Sequence, residues 1–240
     1  MNILITGASS GIGKQLASDY LADGHRVFCC GRNLQALEEL KQQHPDSAIL
    51  LNFDVASLED CGESLSSLQS LDLVILNAGT CEYIDAENFD AKTFSRVIRI
   101  NVEGTANCLE YLIPMIKAGG TLALMGSSSS FLPLPRAEAY GASKAAIEYL
   151  ARTLSISLKP SDINVSYIAP GFVETPLTER NDFPMPMQVD VIFASSKIRK
   201  GLENSKELIH FPGKFTWILK IIGILPNRIQ QFLITKTLAY

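Results

Sequence analysis

Short apolar runs of strand type alternate with longer segments of helical period along most of the chain, and this alternation restricts the possible folds more than any other feature. The strand-like runs fall at 2–6, 26–31, 48–53, 72–77, 121–125 and 164–168, with a last short one at 207–211. Segments of helical period lie between them, at 12–23, 34–43, 58–69, 91–116 and 139–158. Runs such as Leu73-Val74-Ile75-Leu76 and Leu122-Ala123-Leu124-Met125 are apolar at every position. Continuous apolarity suits parallel strands covered on both faces, whereas a strand with one wet face would alternate. The pattern predicts an α/β fold, a doubly wound parallel sheet with helices on both faces. Gly24 is placed to stop the first helix and Pro160 to close the one at 139–158.

Composition supports a globular reading and removes several functions. With 240 residues, 47% of them hydrophobic, the chain is long enough to hide roughly 70 to 75% of its unfolded surface. Its 21 Lys and Arg against 25 Asp and Glu give a net charge of −4, which offers no basic field for nucleic acid, and none is expected as a partner. The charge is unevenly spread: residues 1–180 carry 13 basic and 21 acidic side chains, residues 181–240 carry 8 and 4. The five cysteines, Cys29, Cys30, Cys61, Cys81 and Cys108, lack metal-type spacing and read as reduced thiols. Met1-Asn2 leads straight into a strand pattern without the basic and apolar regions of a signal peptide, so a cytoplasmic protein is expected. His25, His44 and His210 are scattered without acidic or cysteine neighbours, and no metal is expected. The acidic set Glu82, Asp85, Glu87 and Asp90 reads as a solvated loop and helix start.

Three constellations carry chemistry. Thr6-Gly7-Ala8-Ser9-Ser10-Gly11-Ile12-Gly13 stands between the first strand and the first helix. Glycines there allow a tight turn and let a pyrophosphate approach backbone N–H groups at the positive end of the helix. At the end of the second strand, Cys30-Gly31-Arg32-Asn33 presents a guanidinium where a carboxylate would otherwise accept from the ribose hydroxyls of NAD. Arg32 suits the additional 2′-phosphate of NADP, which it can grip by paired charge-assisted hydrogen bonds; a solvated surface Arg is the plainer alternative. In Tyr140-Gly141-Ala142-Ser143-Lys144 the phenol and ammonium are one helical turn apart. An ammonium near a phenol favours phenolate, so Tyr140 is expected to titrate below its ordinary value and to act as an acid/base group. Ser127 lies thirteen residues upstream of Tyr140, after an apolar strand, where its hydroxyl can orient a substrate carbonyl.

With these residues in order, together with Asp54-Val55, Asn77-Ala78-Gly79, Asn101-Val102 and Pro170-Gly171 followed by Thr175, the chain resembles the short-chain dehydrogenase/reductase family over at least residues 2–176. The resemblance implies a Rossmann-like sheet of six or seven parallel strands and hydride transfer between nicotinamide and a carbonyl or alcohol. It implies Asn101, Ser127, Tyr140 and Lys144 as catalytic residues. Tyr140 would exchange a proton with the substrate oxygen, Ser127 would hold that oxygen, Lys144 would bind the nicotinamide ribose, and Asn101 would help order a water that relays protons to Lys144. Ser128 and Ser129 are neighbouring candidates for the Ser127 role. Cofactor contacts carry over to Gly7, Ser9, Ser10, Gly11, Ile12, Gly13, Arg32, Asp54, Val55, Asn77, Ala78, Gly79, Tyr140, Lys144, Pro170, Gly171, Val173 and Thr175, with Asp54 at the adenine edge and Val173 and Thr175 at the carboxamide. Two departures are visible. Leu76 replaces the first Asn of the common Asn-Asn-Ala-Gly, and the second-strand acid of NAD-preferring members is missing. NADP is therefore expected over NAD, and Ser10 stands where some NADP-using relatives carry a basic residue, leaving Arg32 as the main 2′-phosphate contact.

A single domain over 1–240 is expected: a cofactor-binding and catalytic part at 1–175, a substrate loop and helices at 176–206, and a last strand with a basic, apolar tail at 207–240. The segment 176–189, with Pro176, Pro184 and Pro186 and with Leu177, Phe183, Met185 and Met187, reads as a mobile loop over an apolar pocket. An NADP(H)-dependent oxidoreductase acting on an apolar carbonyl or alcohol is the resulting expectation. A nicotinamide-binding regulatory or scaffold protein without turnover is the alternative from another class, and a dehydratase or epimerase on the same fold is the enzymatic rival. The resemblance also implies a homo-oligomer. From 208 onward there is no Asp or Glu, only Lys214, Lys220, Arg228 and Lys236 among apolar residues. This tail has three readings: a cap on the pocket or a subunit interface, peripheral contact of 214–240 with an anionic membrane surface, or core packing.

Overall fold

The computed structural model describes residues 1–237; the remaining tail positions, 238–240, lie outside the described residues. Seven strands form one sheet: β1 (Asn2–Thr6), β2 (Arg26–Gly31), β3 (Ala48–Asn52), β4 (Leu71–Leu76), β5 (Ile116–Met125), β6 (Asn164–Pro170) and β7 (Leu208–Phe211). All neighbours pair in parallel, in the order β3-β2-β1-β4-β5-β6-β7. The fold is the expected doubly wound, Rossmann-like one.

Side chains alternate across each strand, and the two faces gather separate cores. Ile3, Ile5, Val27 and Cys29 join one cluster with helices α1 (Gly11–Ala22), α2 (Leu34–Gln43) and α7 (Val191–Glu203) through residues such as Leu16, Leu37 and Ile198. Leu4, Phe28, Cys30 and Leu122 join the other, against α3 (Leu58–Leu65), α5 (Gly104–Leu112) and α6 (Glu138–Ser157) through Leu65, Leu112 and Ile147. Each fully buried Leu or Ile contributes roughly 1.5–3 kcal/mol of transfer free energy. Cys29 and Cys30 thus fill opposite cores as free, buried thiols.

Helix boundaries follow local chemistry. Asn33 accepts from the Ala36 N–H, Ser57 from that of Asp60 and Asp190 from that of Phe193, capping α2, α3 and α7. The expected helix at 58–69 stops at Leu65, where Ser66 and Ser67 disfavour its continuation and Ser70 turns with φ of 56° into β4. The expected helix at 91–116 is two helices, α4 (Ala91–Ile98) and α5, joined by a π-helical turn at Arg99–Glu103. It ends before Ile116, which begins β5 by pairing with Leu71; the register then shifts before Leu73 meets Thr121. That irregularity hid the strand's beginning from a periodicity argument. The segment 176–188 holds no helix or strand, apart from the bridge of Val173 to Val189 that brackets it.

The chain order reverses between β1 and β4, its topological switch point. Ligands on such sheets bind beyond the carboxyl ends of the strands at this crevice. Gly7 and Asn77, the residues after β1 and β4, both stand there.

Candidate active site

A cleft of about 440 Å³ opens at the switch point. Gly7, Ser9, Ser10, Gly11 and Ile12 line one end, with Arg32, Asp54 and Val55 beside them. Asn77, Ala78 and Gly79 form the middle, and Ser127, Tyr140, Lys144, Pro170, Gly171, Val173 and Thr175 the other end. Gly13 and Asn101, also expected at the site, stand just behind this lining.

At the glycine end, Ser10 caps α1 in extended backbone but its side chain makes no cap bond, and no acid occupies the first turn. The first N–H groups of α1 therefore meet the cleft with their positive dipole uncompensated by any side chain, a donor set that fits a pyrophosphate. Gly7 has φ of +68°, and an added Cβ would come within 2.8 Å of Asn77 Nδ2 and 2.9 Å of Ala78 Cα. Asn77 holds this loop in place: its Nδ2 donates to the carbonyl oxygens of Thr6 (3.0 Å) and Gly7 (3.3 Å). Thr6 Oγ1 accepts from the N–H groups of Asn77 and Ala78 at 2.9 and 3.0 Å. Arg32 follows β2 with its side chain 69% exposed and its guanidinium 3.5 Å from Asp54.

At the other end, α6 carries Tyr140 and Lys144 on one face, with the Lys144 Nζ 5.6 Å from the centre of the Tyr140 ring. The ammonium is buried and donates to the Met125 carbonyl at 2.9 Å. Burial pushes the lysine down to about 8. The Tyr140 phenol moves opposite to the sequence expectation: burial raises it above its ordinary value, a nearby Cys81 adds to the rise, and a hydrogen bond with Ser127 only partly opposes it. Low dielectric penalises the phenolate, and this outweighs the opposing hydrogen bond with Ser127. At neutral pH the phenol keeps its proton.

Geometry separates the four serines at 127–130. Ser127 lines the cleft beside Tyr140 and its Oγ accepts from the Ser129 N–H at 3.1 Å, Ser128 is buried, the Ser129 hydroxyl is buried without a partner among the described residues, and Ser130 is bonded to Tyr167. The Tyr167 hydroxyl was not foreseen from the sequence. It lies 3.3 Å from both the N–H and the carbonyl of Ser127 and 2.9 Å from Ser130 Oγ, and it donates toward the Lys144 carbonyl at 3.4 Å. Its ring occupies the space that a side chain at Gly126 would need. A Gly followed by the serine run was the available signal. Asn101 sits in the π-helical turn: its Oδ1 accepts from the Thr80 N–H at 2.7 Å, and its Nδ2 donates to Thr80 O and Ser143 Oγ, both at 2.9 Å. Both ends of its amide are thus engaged. Arg180, Thr178 and Leu177 also line the cleft; only their place in a proline-broken loop hinted at this.

These geometries agree with the comparisons. A family model described as short chain dehydrogenase matches residues 1–183. The chain belongs to the short-chain dehydrogenase/reductase family. It is an oxidoreductase of CH–OH and C=O groups that uses a nicotinamide cofactor. An uncharacterized oxidoreductase of Myxococcus xanthus is 31% identical over 93% of this chain and 92% of its own. An Arabidopsis thaliana protein named 11-beta-hydroxysteroid dehydrogenase-like 2 is 29% identical over 96% of this chain and 80% of its own. The fold is shared with a short chain dehydrogenase from Burkholderia cenocepacia solved with NADP, at a TM-score of 0.85 and 22% identity over 99% of this chain and 97% of that one.

The buried ionisable groups predict alkaline fragility. Burial is the leading cause that raises Tyr20, Tyr83, Tyr140, Tyr167, Cys29, Cys30 and Cys81, and Cys108 is raised by its bond with Cys61 and by burial. An acid raised in the folded state contributes stability below its unfolded value and loses it as pH climbs past that value, because only the unfolded chain releases the proton. Lys144, lowered to about 8, works oppositely between that value and its ordinary one, as does Cys61, lowered by its bond with Cys108; two groups oppose eight. Thermal melts under reducing conditions are expected to show Tm falling once pH exceeds about 9. A Tm that rises steadily from pH 8 to 10 would contradict this balance.

Proposed function

We propose that the protein interconverts a carbonyl and a secondary alcohol of an apolar small molecule with NADP(H), through Tyr140 as proton donor and acceptor. The observation that carries this reading is the meeting of Tyr140, Ser127 and Lys144 in the same cleft whose far end holds the glycine loop and Arg32. When bound, the nicotinamide supplies or accepts the hydride. The protein's own residues manage the oxygen and its proton. Ser127 holds the substrate oxygen against Tyr140, and the buried phenol, protonated at neutral pH, donates to that oxygen during reduction. Lys144, fixed to the Met125 carbonyl, binds the ribose hydroxyls and supports the proton exchange. Asn101 is a positioning residue, clamping the Thr80 segment to α6 through Ser143.

NADP preference rests on Arg32, which follows β2 on an exposed side chain whose only acidic neighbour among the described residues is Asp54, at 3.5 Å, and which stands where NAD-preferring members carry an acid. Related folds have been solved with NADH, from Brucella melitensis, and with NADPH, from Sphingobium yanoikuyae, so the fold itself admits either. Charge-assisted hydrogen bonds of this kind contribute about 1.5–3 kcal/mol, so Arg32→Ala is expected to weaken NADPH binding roughly 10- to 100-fold and to leave NADH nearly unchanged. Fluorescence titration with both nucleotides checks this; equal losses for the two would remove the preference. The substrate is read as apolar because Tyr83, Phe183, Phe172 and Phe215 form a row of ring contacts, 5.3, 6.1 and 5.6 Å apart, beside the catalytic end.

A further inference from the structure

We propose that helices α8 (Gly213–Gly223) and α9 (Asn227–Thr237) form a docking surface for an anionic lipid interface. In α8, Thr216 and Leu219 are turned inward, while Trp217, Ile218 and Ile221 are exposed, as is Ile224, the residue that caps the helix, by 83%. At 100° per residue these four fall within an arc of about 120°, the width of an amphipathic stripe, but this one faces outward. Ile229 and Phe232 extend the exposed apolar surface onto α9. The two helices are tied together, since Gln230 Nε2 donates to the carbonyls of Gly223 and Leu225 at 3.0 and 2.8 Å.

Charge identifies the occupant. Lys214, Lys220, Arg228 and Lys236 are the only charged side chains from 208 onward, in a chain whose first 180 residues are strongly acidic. Two cations border the exposed rings: Lys220 Nζ lies 5.0 Å from the centre of Trp217 and Lys236 Nζ 4.7 Å from that of Phe232. An apolar stripe edged by lysines is the pattern that enters the headgroup boundary of an anionic bilayer, with stems buried and ammonium groups at the phosphates. A second copy packed symmetrically on this face would set the same cations against each other. Among the described residues no helix is long and apolar enough to cross a membrane, so the surface lies on the bilayer. Phe215, on the inner side of α8, packs on Phe172 at 5.6 Å and against Gly171 of the cleft lining, so the helix that carries the docking face also contacts the catalytic end of the site.

Trp217 is the chain's single tryptophan and is 56% exposed, so its emission reports on this face alone. The full-length protein is titrated at low salt with vesicles of phosphatidylcholine and with vesicles of equal parts phosphatidylcholine and phosphatidylglycerol. The expected result is a blue shift and co-sedimentation with the anionic vesicles, reversed by salt and about tenfold weaker with neutral ones. Ile221→Glu and, separately, Ile224→Glu are each expected to weaken partitioning about tenfold or more, with circular dichroism and Tm unchanged. Unaltered emission with both vesicles would overturn the proposal. So would a blue shift that follows protein concentration without lipid, with a dimeric mass by light scattering, since a second copy would then cover the face.

Discussion

Tyr140→Phe is expected to lower turnover of any carbonyl substrate by roughly 10²- to 10⁴-fold, the usual contribution of a positioned general acid, while nucleotide binding persists. The ring stays, so α6 keeps its packing; only the hydroxyl that bonds Ser127 is lost. Because burial raises the phenol, the wild-type group is protonated throughout the neutral range and is ready to donate during reduction. Oxidation of the alcohol must first draw that proton away, so its rate should rise with pH. Single-turnover measurements on both directions separate these cases. If Tyr140→Phe retained near wild-type rates in both, another proton donor would have to serve the cleft.

Gly13→Ala is expected to be damaging by a different route. A Cβ at this position would overlap the Gly7 carbonyl oxygen and stand 2.5 Å from Asn77 Nδ2. Neither neighbour is a flexible side-chain end: one is backbone, and the other is held by Thr6 and Gly7. The loop must move away from α1, or α1 from the sheet, at a typical cost of about 1–3 kcal/mol for overpacking. Either movement misdirects the N–H groups that, under the proposed function, would bind the pyrophosphate. We expect a lower Tm together with a loss of nucleotide affinity of at least about tenfold. Calorimetry of folding and of NADPH binding on the same sample checks both; unchanged affinity would show that the loop is looser than its contacts imply.

Much of this was legible in the sequence because the relevant signals are local. Apolar runs without alternation announce parallel strands, and glycines at a strand-to-helix turn announce a backbone ligand site whatever their exact partners. Tyr140 and Lys144 stand one helical turn apart in the sequence, but their grouping with Ser127 rested on the combination of motifs and the family resemblance, with Ser128 and Ser129 left as alternatives. The direction of the Tyr140 shift was not legible, because it depends on how deeply α6 is covered, which residue order does not state. Cys81 and Tyr167 were missed for the same reason: each acts through side chains distant in the chain, Tyr167 on Ser127 and Cys81 on Tyr140. The true extent of β5 was obscured by the register shift near Leu71. For the tail, composition showed both the apolarity and the cations, but only packing revealed that Thr216 and Leu219 take the inner face and leave Trp217 and Ile221 outside.

The most direct test of the central claim is NADPH consumption by the purified protein across a panel of apolar aldehydes and ketones, with alcohol product quantified and Tyr140→Phe run in parallel. The account predicts one alcohol formed per NADPH oxidised with at least one class of substrate, and loss of that turnover in a variant that still binds NADPH. Tight NADPH binding by the wild-type protein with no oxidation on any carbonyl would contradict it, and would instead mark the fold as a nicotinamide-binding protein without turnover.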